Sequence, residues 1–197
     1  MGKKLDSIRL LSDLGFNTPE FIVVHDEDSL YVYEQMAVSW PRVSIRTDTK
    51  NSNHPLVLGK LPFFPNILAA EAMEKLKGLL SEGLLGIVQK AIDPKDSELG
   101  GKYMRVAKDS TEFVEYFLGP GTIRQMESDE VRRHAVHWLH GKVDWETVPK
   151  GHGGYIYIFQ KVRRQATILR PPFCLEFSKY PYRIGRMKEQ IIFWEVC

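Results

Sequence analysis

Cys174-Leu175-Glu176-Phe177-Ser178 and, after a turn with Gly185, Gln190-Ile191-Ile192-Phe193-Trp194-Glu195-Val196-Cys197 are two short apolar strands that each carry one carboxylate. Glu176 sits between Leu175 and Phe177, and Glu195 between Trp194 and Val196. An ionised carboxylate is costly to bury unless a cation or a set of donors meets it. Two of them on hairpin-linked strands point to a shared magnesium ion, which takes oxygen ligands and bridges to phosphates. The alternative is that both side chains face solvent from edge strands.

Working outward, the whole chain has 197 residues, 43% hydrophobic and 26% charged, with a formal net charge of +2. That balance fits one globular domain, or one domain of two lobes, and gives no charge-based argument for nucleic acid or membrane. No apolar run reaches the roughly 18 residues of a membrane span. The start of the chain is polar and basic and passes directly into an amphipathic helix, with no signal-peptide stretch. Cys174 and Cys197 flank the terminal hairpin, where a disulfide could join them, but two thiols in a chain of this size more often mean a reducing compartment. The expected location is cytoplasmic.

Leu5, Ile8, Leu11 and Leu14 mark one face of a helix that Gly15 stops. Glu20 to Val24 is β-rich, Asp26 to Ala37 suits a second helix, and Arg42 to Arg46 alternates as a half-exposed strand does. Thr47 to Pro55 is loop, and a helix is expected from about Ile67 to Leu80. Leu84 to Ile92 is a strongly apolar strand, followed by strands at Lys102 to Ala107 and Thr111 to Leu118. Ser128 is expected to cap a helix running to about Leu139, and Tyr155 to Phe159 is expected to be a strand. Strands interleave with helices without βαβ repetition, which predicts an α+β class rather than a doubly wound sheet.

Five segments, in order, resemble a known family. Gly2-Lys3-Lys4 with Leu14-Gly15-Phe16-Asn17-Thr18-Pro19 is similar to the opening of the nucleotide-binding domain of phosphoenolpyruvate synthase and pyruvate phosphate dikinase. Val43-Ser44-Ile45-Arg46-Thr47-Asp48 resembles that family's valine-x-valine-arginine-serine strand end. Gly86-Ile87-Val88-Gln89-Lys90-Ala91 resembles the hinge strand that holds adenine in ATP-grasp folds. Val114-Glu115-Tyr116-Phe117-Leu118-Gly119-Pro120-Gly121 matches a glutamate followed by a glycine-x-glycine turn, and the terminal hairpin is the fifth segment. The resemblance implies an ATP-grasp-like α+β fold over residues 1–197, with two small lobes, near 1–82 and 83–197, whose antiparallel sheets surround a nucleotide cleft.

What the resemblance implies about residues follows position by position. Lys4, in the place of the family lysine, and Arg46 would hold phosphates, with Thr47 and Thr49 in support. The backbone of Gln89, Lys90 and Ala91 would hold the adenine, Glu115 the ribose, and Glu176 with Glu195 a magnesium ion. Glu195 stands where the family has glutamine and Cys197 where it has arginine, so magnesium binding is expected and the phosphate geometry is altered. The implied activity is magnesium-dependent phosphoryl transfer as in a kinase or other transferase, or ATP-dependent ligation. The family's phosphohistidine and pyruvate-binding parts are not found in these residues. The expected acceptor is therefore a small molecule or a partner protein.

Two other readings compete. His134, His137 and His140 would fall at i, i+3 and i+6 of a helix, which invites zinc, but the third rotates away and no ligand follows at zinc spacing. Arg132, Arg133, Lys161, Arg163, Arg164 and Arg170 could make a basic surface for RNA or a protein, the function of a non-catalytic binding module. There is no P-loop, dinucleotide fingerprint or nucleophile elbow, which disfavours acyl-transfer and dinucleotide enzymes.

Overall fold

The structure, a computed structural model, describes residues 3–37, 39–49, 61–106, 112–127, 130–181 and 191–196. Cys197 and the turn at Gly185 lie outside them, as do Ser128 and most of the expected loop after Thr49. The chain divides into two units, one of residues 1–10 and 19–93, the other of residues 11–18 and 94–197.

The first unit holds β1 (Phe21–Val24), α2 (Glu27–Ala37), β2 (Arg42–Thr49), β3 (Phe63–Leu68), α3 (Ala69–Ser81) and β4 (Leu84–Lys90), together with most of α1 (Lys3–Asp13). Its sheet is antiparallel in the order β1-β4-β2-β3. β4 is apolar from Leu84 to Val88 because it is interior to the sheet and covered on both faces. Val88 and Leu84 join Val43, Ile45, Leu76 and Leu79 in one core cluster, while Leu85 and Ile87 pack with Leu5 and Ile8 of α1. Gly86 is needed here, since a Cβ on it would come within 2.4 Å of the Leu76 side chain. The expected helix from Ile67 begins later, at Ala69, because Phe63 to Leu68 pairs with β2. Pro65 is tolerated there since β3 is an edge strand with an irregular register opposite Val43 and Ile45.

The second unit holds β5 (Leu99–Arg105), β6 (Glu112–Leu118), α4 (Ile123–Glu127), β7 (His134–Leu139), β8 (Lys142–Val143), α5 (Ile156–Gln165), β9 (Phe173–Lys179) and β10 (Ile191–Val196). Its six-stranded antiparallel sheet runs β10-β9-β5-β6-β7-β8. One face supplies Tyr103, Val114, Tyr116, Val136, Trp138, Leu175, Phe177 and Phe193 to a core shared with Ile156, Phe159 and Val162 of α5.

Two expected elements change type. Residues 134–139 form a strand, not the end of a helix: pairing with β6 from His134 to Trp138 sends Val136 and Trp138 into the core. Residues 156–159 are helical, not a strand: Ile156, Phe159 and Val162 recur every three residues on the buried face of α5. The alternation of Tyr155 to Phe159 satisfies both patterns, and packing against the sheet selects the helical one. The α+β class with two antiparallel sheets is the one observed. Among the described residues, no helix is long and apolar enough to cross a membrane.

Candidate functional site

Side chains alternate along a strand, so each core residue of the second sheet sends its neighbours to the opposite face. Tyr103 is buried beneath α5, and Lys102 therefore takes the other face. The same holds for Glu115 between Val114 and Tyr116, and for Glu176 between Leu175 and Phe177. Register joins them in one transverse row: Lys102 opposes Glu115 on β6 and Glu176 on β9, and Glu176 opposes Glu195 on β10.

Glu195 reaches this row through an irregularity. Phe193 pairs with Phe177, but Glu195 rather than Trp194 pairs with Glu176. The extra residue is a β-bulge, which here re-aims one side chain. With regular pairing Trp194 would face Glu176, and Glu195 would oppose Leu175 on the core side. The Trp194 indole N–H donates to Ser178 Oγ at 2.9 Å, which fixes the bulged residue.

Within the row, Lys102 Nζ lies 3.3 Å from Glu176 Oε1, with side chains only 15% and 14% exposed. The alternative in which Glu176 faces solvent is thereby excluded. Glu195 is half-buried. The four residues carry three carboxylates and one ammonium, a charge balance that suits a hard divalent cation. Glu176 and Glu195 would be its protein ligands, with water and phosphate oxygens completing the shell as magnesium prefers. Among the described residues, no three His, Cys, Asp or Glu side chains gather as a complete metal cage.

The core face of the same sheet handles a carboxylate differently. Glu112, three residues before Glu115 on β6, accepts from Arg163 Nε and Nη2 and from Tyr103 Oη at 3.1 Å, with Arg105 Nε at 3.5 Å. Burial alone would raise its pKa, but the bonds and charge of Arg163, then Tyr103 and Arg105, hold it below the usual carboxylate range. Arg163 is thus committed to a structural pair, which shortens the basic surface expected from Lys161 to Arg170. Nearby, Tyr116 Oη and His152 Nδ1 are 2.7 Å apart, and burial pushes the phenol up to about 12. His134 packs its ring on His152, and burial, then His152 and Arg132, lower its pKa. The zinc trio is dispersed. On a strand, His134 and His137 fall on opposite faces, and His140 sits in the following turn at φ 49°.

In the first unit, Lys4 lies in the opening turn of α1 and is half-buried. The next residue ties that turn to β2, since Leu5 N–H donates to the buried Asp48 carboxylate at 2.8 Å. Asp48 shares a strand face with Arg46, so Lys4 and Arg46 come from elements joined by this bond. Thr47 and Thr49 are buried on the opposite strand face, that of Val43 and Ile45, away from Arg46. Gln89 lies between Phe21 and Ser44, with Nε2 buried and without a hydrogen-bond partner. The N–H groups of Lys90 and Ala91 donate to the carbonyls of Glu20 and Arg42 at 3.2 and 3.1 Å. These two backbone donors are therefore engaged within the sheet, whereas Gln89 Nε2 is buried with no hydrogen-bond partner among the described residues.

Asp48 and Lys102 are functional-site neighbours that the sequence reading does not single out. Asp48 carried a signal, an acid on a strand just after Arg46, whereas Lys102 is meaningful only once register sets it beside two carboxylates.

The arrangement is that of an ATP-grasp fold, α+β with two antiparallel sheets. No family model and no curated protein matches the sequence. Among solved structures, the chain is similar to a macrocyclase from Microcystis aeruginosa bound with its precursor peptide, at 12% identity and a TM-score of 0.54, over 98% of this chain and 51% of that one. It is similar to D-alanyl-alanine synthetase A from Vibrio cholerae, at 15% identity and TM-score 0.53, over 98% and 54%. A third is N5-carboxyaminoimidazole synthase from Aspergillus clavatus in complex with ADP and 5-aminoimidazole ribonucleotide, at 12% identity and TM-score 0.55, over 99% and 43%. At such identities the likeness is one of fold. The chain spans about half the length of these structures.

Proposed function

We propose that this protein binds ATP with magnesium and transfers its γ-phosphoryl group to an acceptor, either as the product-forming step or to activate a carboxylate for ligation. The observation that carries this reading is the bulge that sets Glu195 opposite Glu176 on the face of the second sheet away from α5. A structural carboxylate needs donors, as Glu112 has. Glu176 and Glu195 are instead set opposite one another by register, and a divalent ion between them would relieve the repulsion of the pair.

Glu176 and Glu195 would hold that ion, whose chemistry is to bridge phosphate oxygens and spread the charge of the transferring group. Lys4 and Arg46 would bind phosphates, Lys4 as a point charge and Arg46 as a bidentate fork. Glu115 would accept from the ribose hydroxyls. The strand Gln89 to Ala91 would meet the adenine, and here the Gln89 side-chain amide is the better donor, since the Lys90 and Ala91 N–H groups are taken. The acceptor we propose is a small carboxylate or a partner protein's side chain; the synthetases and the macrocyclase that share the fold support this reading.

The test is calorimetric titration with ATP, with and without magnesium, of the wild type and a Glu176→Ala/Glu195→Ala double variant. Magnesium-dependent binding that the variant loses supports the reading. No binding by the folded wild type up to millimolar ATP would sink it.

A further inference from the structure

Lys102 is the single cation in the row Glu115–Lys102–Glu176–Glu195, and its ammonium rests on one of the two carboxylates that the metal would need. An ammonium with both side chains at about 15% exposure is a real competitor for that carboxylate, not a screened surface contact. The lysine head is a compact charge on a four-carbon stem, so it can change partners without moving the strand.

We propose that Lys102 is a positioning residue that makes the site selective for the metal–nucleotide complex over the free metal ion. The inference rests on the nucleotide reading above and names how that site chooses its ligand. Before binding, Lys102 holds Glu176 and lowers the attraction of the carboxylate pair for a lone cation. A free ion must push the ammonium off Glu176 and offers it nothing in return. The metal–nucleotide complex brings both charges at once. Glu176 then trades the ammonium for the metal, and Lys102 turns from Glu176 to a phosphate oxygen on the same sheet face. Only ion pairs and hydrogen bonds change in this exchange. Glu176 ends on a stronger cation and Lys102 on a fresh anion, so neither buried charge is left alone.

This predicts effects of opposite sign on two ligands. Lys102→Met should bind manganese alone, followed by the electron paramagnetic resonance of the free ion, about tenfold or more tightly than the wild type, because a like charge a few ångströms away is gone. The same variant should bind magnesium–ATP about tenfold more weakly in calorimetry, because the phosphate loses its ammonium. Lys102→Arg keeps the charge and should stay near the wild type on both. Lys102→Gln should follow the methionine variant and serves where that one folds poorly.

A purely structural lysine would weaken both ligands together or change neither, and either result overturns the proposal. So does tightening of both, which would mean that Lys102 repels the metal and never meets phosphate. If the wild type binds neither manganese nor magnesium–ATP, the nucleotide reading itself falls and takes this inference with it. Wild-type binding that Lys102→Met leaves unaltered removes the inference alone.

Discussion

The two faces of the six-stranded sheet treat buried carboxylates in opposite ways, and β6 shows both treatments three residues apart. On the core face, Glu112 is saturated: two arginines and a phenol converge on it, and its pKa is held low. On the opposite face, Glu176 meets Lys102 and looks across at a second carboxylate. The first arrangement locks α5 to the sheet and has no room for another cation. The second leaves a charge balance that a divalent ion would complete. A carboxylate in an apolar strand is thus not by itself a functional signal; what distinguishes the two is which charges register sets beside it, arginines for Glu112 and a second carboxylate for Glu176.

The sharpest way to break the comparison is to neutralise one carboxylate on each face. Glu112→Gln should lower stability by about 3 kcal/mol in urea denaturation, because it strands the charge of Arg163 against the core. Glu176→Gln should cost less, about 1 to 2 kcal/mol, because Lys102 keeps Glu115 and Glu195 in its row, and Glu195→Gln less than about 1 kcal/mol, since it removes a repulsion. These two should instead lose magnesium-dependent ATP binding, while Glu112→Gln keeps it under conditions where it is folded. Equal stability losses on both faces would erase the distinction.

Smaller effects refine the picture. Asp48→Asn should cost about 1 kcal/mol by weakening the cap on the opening turn of α1, read as a lower denaturation midpoint. Tyr116→Phe should cost a similar amount, about 1 kcal/mol, by leaving His152 without its partner. The smallest effect is a pH slope. Because the fold lowers the pKa of His134, the unfolded chain binds its proton more readily, and stability should rise with pH through this window. Stability is lost as pH falls below about 6.5, the ordinary histidine value, towards the lowered one. His134→Phe should flatten that slope in thermal melts taken across pH 5 to 8. An unchanged slope would assign it to another group.

One side of this contrast is legible in the letters, and Glu112 is not. Glu176 and Glu195 stood out because each interrupts an apolar run, and Arg46 because it ends an alternating strand beside hydroxyls. The α+β class followed from strands and helices without strict repetition. What stayed hidden depends on partners far along the chain. The bulge at Trp194 arises from register against β9 and leaves no local mark, so the pairing of Glu195 with Glu176 was expected only as a consequence of the hairpin. Lys102 looks like any strand lysine until β6 and β9 bracket it. Tyr155 to Phe159 fits period two as well as period 3.6, and residues 134–139 become a strand because β6 offers an unpaired edge. Thr47 and Thr49 were placed beside Arg46 by adjacency alone, and alternation puts them on the other face.

The central claim is that the metal of the nucleotide complex sits on the face of the second sheet away from α5, at Glu176 and Glu195. The most direct measurement is paramagnetic broadening of backbone amide signals in isotope-labelled protein titrated with manganese–ATP. The account predicts that the amides of Glu176, Glu195 and Lys102 broaden first, while those of Arg163, His152 and His134 stay sharp at the same concentration. Broadening centred on the histidines, or none at ATP concentrations that saturate binding, would contradict it.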